Sequence, residues 1–248
     1  MKTYSTSEIA DLIGIHPNTV RRYEELQLIS RPARKPNGYR QFTDLHVGQF
    51  RVARLAFEVE VLQNGLRKHA VNIVKTTARC EFDRAMVLTV EYMRRIEAEK
   101  ENAEEAIKIT AELLCGADTE GPEICLNRSK TAEHLQITID TLRNWELNGL
   151  LRVKRRRNGY RVYDNADIRR LKIIKSLRCA NYSLAAILRM LNAISADPDT
   201  NIREAIDSAR GEDDIITACD NLLTSLKNAA INGEKMYRCL ERLKNENN

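Results

Sequence analysis

Residues Ala10–Glu24 read ADLIGIHPNTVRRYE, and residues Ala132–Glu146 read AEHLQITIDTLRNWE. Each stretch leads through a basic segment into Asn-Gly-Tyr-Arg, at 37–40 and again at 158–161. A long internal repeat indicates a duplicated structural unit. The chain is therefore predicted to contain one module twice, and with it one binding surface twice.

The size of the chain and its local charge narrow the class of protein. The 248 residues are enough for two domains of about 100 to 130 residues, each with a small core. The net charge is only +5, but residues 31–40 and 152–161 are strongly basic and contain no carboxylate. Such local charge suits polyanions.

The sequence also predicts where the protein resides. No stretch approaches the roughly 20 apolar residues that span a bilayer, and residues 1–10 are too polar for a signal peptide. We therefore expect a cytoplasmic protein without a membrane partner. Aromatic residues are scarce and apolar residues recur at helical spacing, which predicts a mainly α fold with short strands only in the basic segments.

The start of the first copy predicts a helix, a tight turn and a second helix. Ser5 and Glu8 have the spacing of a capping box. Gly14 can adopt the left-handed conformation that ends a helix, His16 is placed to cap the next helix, and Pro17 falls in its first turn. In the second copy the equivalent capping residue is a threonine at position 138.

The second helix of each module is the candidate DNA-reading element. In the first copy it is predicted to run from Pro17 to about Glu25. Arginine can read guanine and asparagine can read adenine in the major groove. A solvated charged face is the alternative for one such helix taken alone. Both copies expose arginine beside small hydroxyl or amide side chains: Thr19, Arg21 and Arg22, then Thr141, Arg143 and Asn144.

A basic hairpin is predicted after each of these helices, because Asn-Gly favours a tight turn between two cationic strands. Such a wing would place its cations along DNA phosphates. Tyr39 and Tyr160 would either add a hydroxyl to the same backbone or pack on the helix below. The cations are Arg31, Arg34, Lys35 and Arg40 in the first copy, and Arg152, Lys154, Arg155, Arg156, Arg157 and Arg161 in the second.

The pattern Ile-Ala-x-x-x-Gly-Ile-x-Pro-x-Thr-Val-Arg-x-Tyr-Glu, then Leu-Ile, then Asn-Gly-Tyr-Arg-x-Phe, resembles the winged helix-turn-helix of the MerR family of bacterial transcription regulators, and both halves match it. The resemblance implies double-stranded DNA and RNA polymerase at the promoter as partners, and the bacterial nucleoid as the location. It also implies DNA contacts from Thr19, Arg21, Arg22, Tyr23 and Arg40, and from Thr141, Arg143, Trp145 and Arg161.

These residues, together with the wing residues Arg34, Lys35, Tyr39, Arg155, Arg156, Arg157 and Tyr160 and with Asn144, make up the predicted DNA interface. Arg22 and Asn144 occupy a position that is often tyrosine in the family. The base preference of a relative is therefore not carried over to this chain.

Two heptad patterns predict long coiled-coil helices. In the MerR family one such helix pairs antiparallel with its partner from a second protomer. This chain has two, and we expect them to pair antiparallel within one chain as a pseudo-dimer; an ordinary homodimer with four DNA-binding modules is the alternative. The first pattern runs through Phe82, Met86, Thr89, Met93, Ile96, Lys100, Ala103, Ile107, Thr110 and Leu114, and the second through Ile215, Cys219, Leu222, Leu226, Ala229, Gly233, Met236, Leu240 and Leu243.

The predicted organisation has five segments. Residues 1–76 and 128–200 form the two winged helix-turn-helix domains, and residues 77–115 and 201–248 form the long helical regions. Residues 116–127 connect the two halves.

Six cysteines without close paired spacing are expected to be thiols in a reducing cytosol. The resemblance implies one metal-sensing arrangement, in which Cys115 and Cys125 lie in the loop after the first long helix and Cys219 comes from the second. Three thiolates suit a soft metal ion. The alternative is that Cys219 is a buried apolar residue and Cys115 ends a helix. No other cofactor is expected.

The sequence predicts a sequence-specific transcription regulator that bends or untwists promoter DNA. An architectural DNA-bending factor similar to an excisionase is one alternative, and a thiol- or metal-responsive regulator is another. The sequence contains no phosphate-binding loop, nucleophile and base pair, or spaced carboxylate dyad, so it does not predict an enzyme.

Overall fold

The computed structural model describes residues 2–58, 65–115, 125–155, 159–207 and 221–247, and confirms a mainly helical chain with short strands. The first module has strands β1 Thr3–Tyr4, β2 Ala33–Arg34 and β3 Arg40–Thr43, and helices α1 Thr6–Ile13, α2 Pro17–Glu25, α3 Asp44–Glu58 and α4 Leu66–Ala78, and is followed by the long helix α5 Phe82–Cys115. The second has helices α6 Arg128–His134 and α7 Ile139–Leu147, strands β4 Lys154–Arg155 and β5 Arg161–Val162, and helices α8 Asn165–Cys179, α9 Leu184–Ala196, α10 Ile202–Asp207 and α11 Leu222–Asn247.

The chain divides into two compact units. Unit 1 contains residues 1–98 and 225–248, and unit 2 contains residues 99–224. The division falls inside both long helices, so each unit holds one module and part of the helical region. No helix in the described part of the chain is long and apolar enough to cross a bilayer.

The helix-turn-helix of the first module has the predicted caps. Ser5 and Glu8 form a capping box at the start of α1, and Gly14 ends that helix at φ +71°. His16 caps α2 by accepting a hydrogen bond from the Asn18 amide through Nδ1 at 3.2 Å. These local signals fix the ends of both helices because each satisfies backbone groups that have no partner within the helix.

The small sheet of the first module has one more strand than the sequence predicts. β1 pairs antiparallel with β3, with Tyr4 opposite Phe42, and β3 also pairs with β2 in the wing. In the second module a single bridge joins Leu126 to Tyr163 at the corresponding place. The extra pairing was missed because a two-residue strand carries no periodicity.

The core of unit 1 lies beneath the helix-turn-helix. Ile9 of α1, Val20 of α2 and Phe50 of α3 are fully buried together with Phe42 of the sheet. The ring of Tyr23 stacks on Phe50 with centroids 5.3 Å apart. These contacts hold α2 against the body of the module with its opposite face outward.

The second module repeats this arrangement with different local chemistry. Thr138 caps α7 by accepting a hydrogen bond from the Thr141 amide at 3.0 Å. Gln136 takes a left-handed conformation at φ +52° where the first copy has glycine. Leu142 and Trp145 bury the inner face of α7. The turn therefore forms without glycine, at a cost of about 1 to 2 kcal/mol for the left-handed backbone.

The long helices carry buried seams, and the seam of α5 differs from the prediction. Phe82, Thr89 and Ile96 are buried as expected, and Ala85 and Tyr92 are buried as well, whereas Met86 and Met93 are only partly buried. In α11 every predicted seam residue from Leu222 to Leu243 is buried, whereas Ile215 and Cys219 lie outside the described residues. The buried threonines of α5 satisfy their hydroxyls within the helix; that of Thr89 donates to the Ala85 carbonyl at 2.8 Å.

Within unit 1, α5 and α11 run antiparallel. Lys244 Nζ lies 2.5 Å from Asp83 Oδ1 near one end of the pair. Farther along, a Cβ added at Gly233 would lie 2.7 Å from Met93 Cγ. The residue numbers therefore increase along α5 in the direction in which they decrease along α11. This is the antiparallel orientation predicted from the heptad patterns. α11 also contacts α3, where Asn232 donates to Glu58 at 2.8 Å.

The Gly233 contact predicts a measurable packing effect. Gly233→Val should lower the free energy of unfolding by about 1 to 3 kcal/mol, because the new side chain overlaps Met93. Met93→Ala in the same chain should recover part of that loss. Denaturant unfolding followed by circular dichroism tests this, with Asn228→Val at an exposed position of α11 as the control. No recovery in the double variant would contradict the contact.

Candidate nucleic-acid interface

The two predicted reading helices present their polar faces to solvent. Arg21 and Arg22 are exposed on α2, and Arg143 and Asn144 are exposed on α7. Thr19 and Thr141 are partly exposed in the first turn of their helices. Each face is therefore available to a ligand, with its apolar side anchored in the module.

The exposed side chains differ in their local partners. Arg21 donates to Asn18 Oδ1 at 2.8 Å, and Arg22 lies 3.4 Å from Glu25 in an exposed ion pair. In α7, Asn148 donates to the carbonyl and side-chain oxygens of Asn144 at 2.8 and 3.1 Å. The two faces consequently have different hydrogen-bonding capacity, although their helices dock on similar cores.

Two residues that the resemblance places at DNA lie on the inner sides of these helices. Trp145 is only 5% exposed. Tyr23 is half-buried through its stacking on Phe50, and its burial raises its pKa. Both aromatic side chains support the helix from below, because removing their apolar surface from water is favourable in free energy.

The tips of the wings are exposed. Arg34 and Lys35 face solvent, and Tyr39 and Tyr160 are each 72% exposed. The turn of the first wing is closed by the Lys35 amide, which donates to the Tyr39 carbonyl at 2.9 Å. The backbone of Arg155 lies in β4, and Arg156 and Arg157 are outside the described residues.

In both modules a glutamate of the reading helix holds the arginine of the wing. Glu24 pairs with Arg40 and also lies 3.5 Å from Arg34. Glu146 of α7 lies 2.9 Å from Arg161. These pairs join the two parts of each interface, so the wing and the helix are presented to a ligand as one surface.

The second module extends this pair into a buried network. The side chain of Glu146 is 7% exposed, and it accepts hydrogen bonds from Arg128 at 2.6 Å and from the hydroxyl of Tyr163. Burial, followed by the hydrogen bond to Glu146, raises the pKa of Tyr163 to about 12. In the first module Phe42, which has no hydroxyl, stands where the second has Tyr163.

Sequence reasoning did not assign a role to the two glutamates. A signal was present, since Glu24 and Glu146 occupy the same position of the repeat. Arg40 and Arg161 are partly used by these pairs and keep exposed fractions of 22% and 33%, through which they can still reach a ligand.

The thiols are dispersed over the described residues. Cys115 ends α5 and Cys125 precedes α6, and both are exposed. Cys219 lies outside the described residues, and in the ranges that are described no three metal-binding side chains cluster. The three-thiolate site stays a prediction.

Comparison with known proteins identifies both modules. Residues 5–42 match the family model described as MerR family regulatory protein. Residues 128–194 match the model described as MerR HTH family regulatory protein. The two matches fall on the two copies of the repeat and include both reading helices and both wings.

Individual relatives of the chain are named as regulators. The chain is similar to the HTH-type transcriptional regulator CueR of Salmonella typhi, with 31% identity over 29% of this chain and 59% of that protein. It is also similar to the mercuric resistance operon regulatory protein of Bacillus cereus, with 27% identity over 38% of this chain and 73% of the relative. The chain thus spans about three fifths of the length of the first relative, and no solved structure matched it. With a family match in each half, the chain carries two regions in tandem that match the MerR family.

Proposed function

We propose that this chain is a DNA-binding transcription regulator with two non-identical reading surfaces. The observation that carries the proposal is the coupling, in each module, of an exposed arginine face to a basic wing through one glutamate. Arginines on a helix suit base edges in the major groove, and wing cations suit phosphates. The names of the relatives support the same class of function.

The proposed contacts are the exposed members of the predicted set. Thr19, Arg21 and Arg22 would act from α2, and Thr141, Arg143 and Asn144 from α7. Wing residues on both sides would contact the DNA backbone. Tyr23 and Trp145 would act by positioning their helices, since their rings pack inward.

One chain would provide the symmetry that two chains supply in a homodimer. The antiparallel contacts between α5 and α11 within unit 1 support this proposal, because they use the seam through which two protomers would otherwise pair. In this proposal residues 1–76 and 128–200 are the two DNA-binding domains, and each reads one half of an imperfect palindrome.

Footprinting combined with a measured mass of the complex tests the proposal. We expect one chain to protect two adjacent half-sites, with a mass of one chain per DNA duplex. Two chains per site at working concentration would contradict the pseudo-dimer and leave DNA binding intact. Lack of sequence-dependent protection would contradict the function itself.

The location of the footprint separates regulation from architecture. If the protein bends or untwists a promoter spacer, it should protect the DNA between the promoter elements and change transcription by RNA polymerase. Protection beside recombination sites, without such a change, would favour the architectural alternative.

A further inference from the structure

Unit 1 contains a cavity that the DNA interface does not use. It has a volume of about 490 Å³ and lies between α1, α3 and α11, all within this unit. Leu12, Ile13 and Leu55 supply apolar walls. This volume is within the range of small-molecule sites, roughly 300 to 1,000 Å³.

Apart from Cys239, the polar side chains of the cavity wall are cationic. Arg51 and Arg54 project from α3, and Lys235, Arg238 and Arg242 from α11. Among the residues that the structure describes, no ion pair includes any of these five side chains. Five neighbouring positive charges repel one another, so an anion between them would be stabilised by all of them.

Two carboxylates, Asp44 and Glu246, line an adjoining groove that shares Arg51 and Arg242 with the cavity. Asp44 there accepts a hydrogen bond from the Tyr4 hydroxyl at 2.8 Å, and Glu246 lies at the end of α11. Neither residue lines the cationic cavity. The cavity therefore combines apolar walls with unneutralised positive charge.

We propose that this cavity binds a small amphipathic organic anion, in which a carboxylate, sulfonate or phosphate group is attached to an apolar body. The acidic group would lie between Arg238, Arg242 and the arginines of α3. Guanidinium groups bind such oxyanions through paired hydrogen bonds. The apolar body would cover Leu12, which is 49% exposed.

The cavity is connected to the first reading helix. Arg54 of its wall acts on the hydroxyl of Tyr23, whose pKa it lowers against the effect of burial, and Tyr23 lies on α2 with the exposed Arg21 and Arg22. An anion that recruits Arg54 competes for this interaction. Ligand binding would thereby alter how α2 is held, and this regulatory consequence rests on the proposed function in DNA binding.

Among the described residues, the positions that correspond to the cavity wall differ in the second module. Lys172 and Lys175 take the places of Arg51 and Arg54 in the repeat, and Lys175 already donates to the Leu135 carbonyl at 2.8 Å. The half of α5 that belongs to unit 2 is acidic where α11 is basic, with Glu99, Glu101, Glu104, Glu105 and Glu112. One ligand per chain is therefore expected.

Fluorescence titration with anilinonaphthalene sulfonate, an amphipathic anion, tests the site without DNA. We expect saturable binding of one probe per chain, displaced by octanoate and unaffected by octylamine. Arg238→Glu combined with Arg242→Glu should weaken binding by about tenfold or more, since two attractive charges become repulsive. Leu12→Glu, which leaves α11 unchanged, should also weaken it.

The matched control combines Lys172→Glu with Lys227→Glu. It produces the same change in net charge at exposed positions outside the cavity, and should leave probe affinity unchanged. Circular dichroism verifies that each variant is folded, because partly folded chains also bind this probe. Unchanged probe affinity in the folded Arg238 and Arg242 variant, or binding without saturation, would overturn the site.

A DNA-binding assay in the presence of octanoate addresses regulation separately. We expect octanoate to change affinity at the half-site of the first module and not in the Arg238 and Arg242 variant. Probe binding without an effect on DNA affinity would overturn the regulatory link alone. If the unmodified chain did not bind DNA even without octanoate, the proposed function itself would be contradicted.

Discussion

Glu146→Ala should lower the free energy of unfolding of the second module by about 3 to 5 kcal/mol. The change removes the Glu146 carboxylate, which interacts with Arg128, Arg161 and Tyr163. The Glu146 side chain is only 7% exposed. Two guanidinium groups are then left close together without a counter-charge. The wing of that module also loses its link to α7.

The fluorescence of Trp145 reports the unfolding of the second module. It is the only tryptophan of the chain, lies beside Glu146 and is 5% exposed. Denaturant unfolding followed by its emission should show an earlier midpoint in the variant. Glu24→Ala is the matched control: it should shift the circular dichroism transition and leave the Trp145 transition in place. Equal midpoints for wild type and Glu146→Ala would refute the structural role of the network.

Arg21→Ala and Arg143→Ala should each weaken DNA binding by about 5- to 150-fold, the equivalent of 1 to 3 kcal/mol for a base contact. Both side chains are exposed on the outer faces of the reading helices. The losses should be confined to different half-sites, because each arginine belongs to its own module.

Base-substituted operators distinguish the two modules in a binding assay. Arg22→Asn should change base preference in one half-site, and Asn144→Arg should change it in the other. Lys227→Ala, an exposed cation on α11 outside both interfaces, serves as the control. An equal effect of either exchange on both half-sites would argue against two independent reading surfaces.

Local sequence signals predicted the elements of each module well. The capping box at Ser5, the turn at Gly14 and the caps at His16 and Thr138 all lie where the pattern placed them. Each depends on residues within a few positions of one another. The two-residue strand β1 was missed because its partner lies about forty positions away in the chain.

Side-chain direction was predicted less well than helix position. The resemblance does not indicate which way the Trp145 ring faces, and the structure buries it. The seam of α5 buries Ala85 and Tyr92 more fully than the neighbouring Met86 and Met93. Several apolar residues share one broad helix face, and only the partner element decides which of them is covered.

The sequence by itself determined that one helix-turn-helix module with a basic wing occurs twice, and that a heptad pattern follows each copy. These features are local or periodic, so short stretches of chain carry them. The tertiary structure decided which cations are bound by Glu24 and Glu146, which aromatic rings point inward, and that Arg51 and Arg54 meet the cations of α11 around one cavity. Those outcomes depend on contacts between residues far apart in the chain, which only folding brings together.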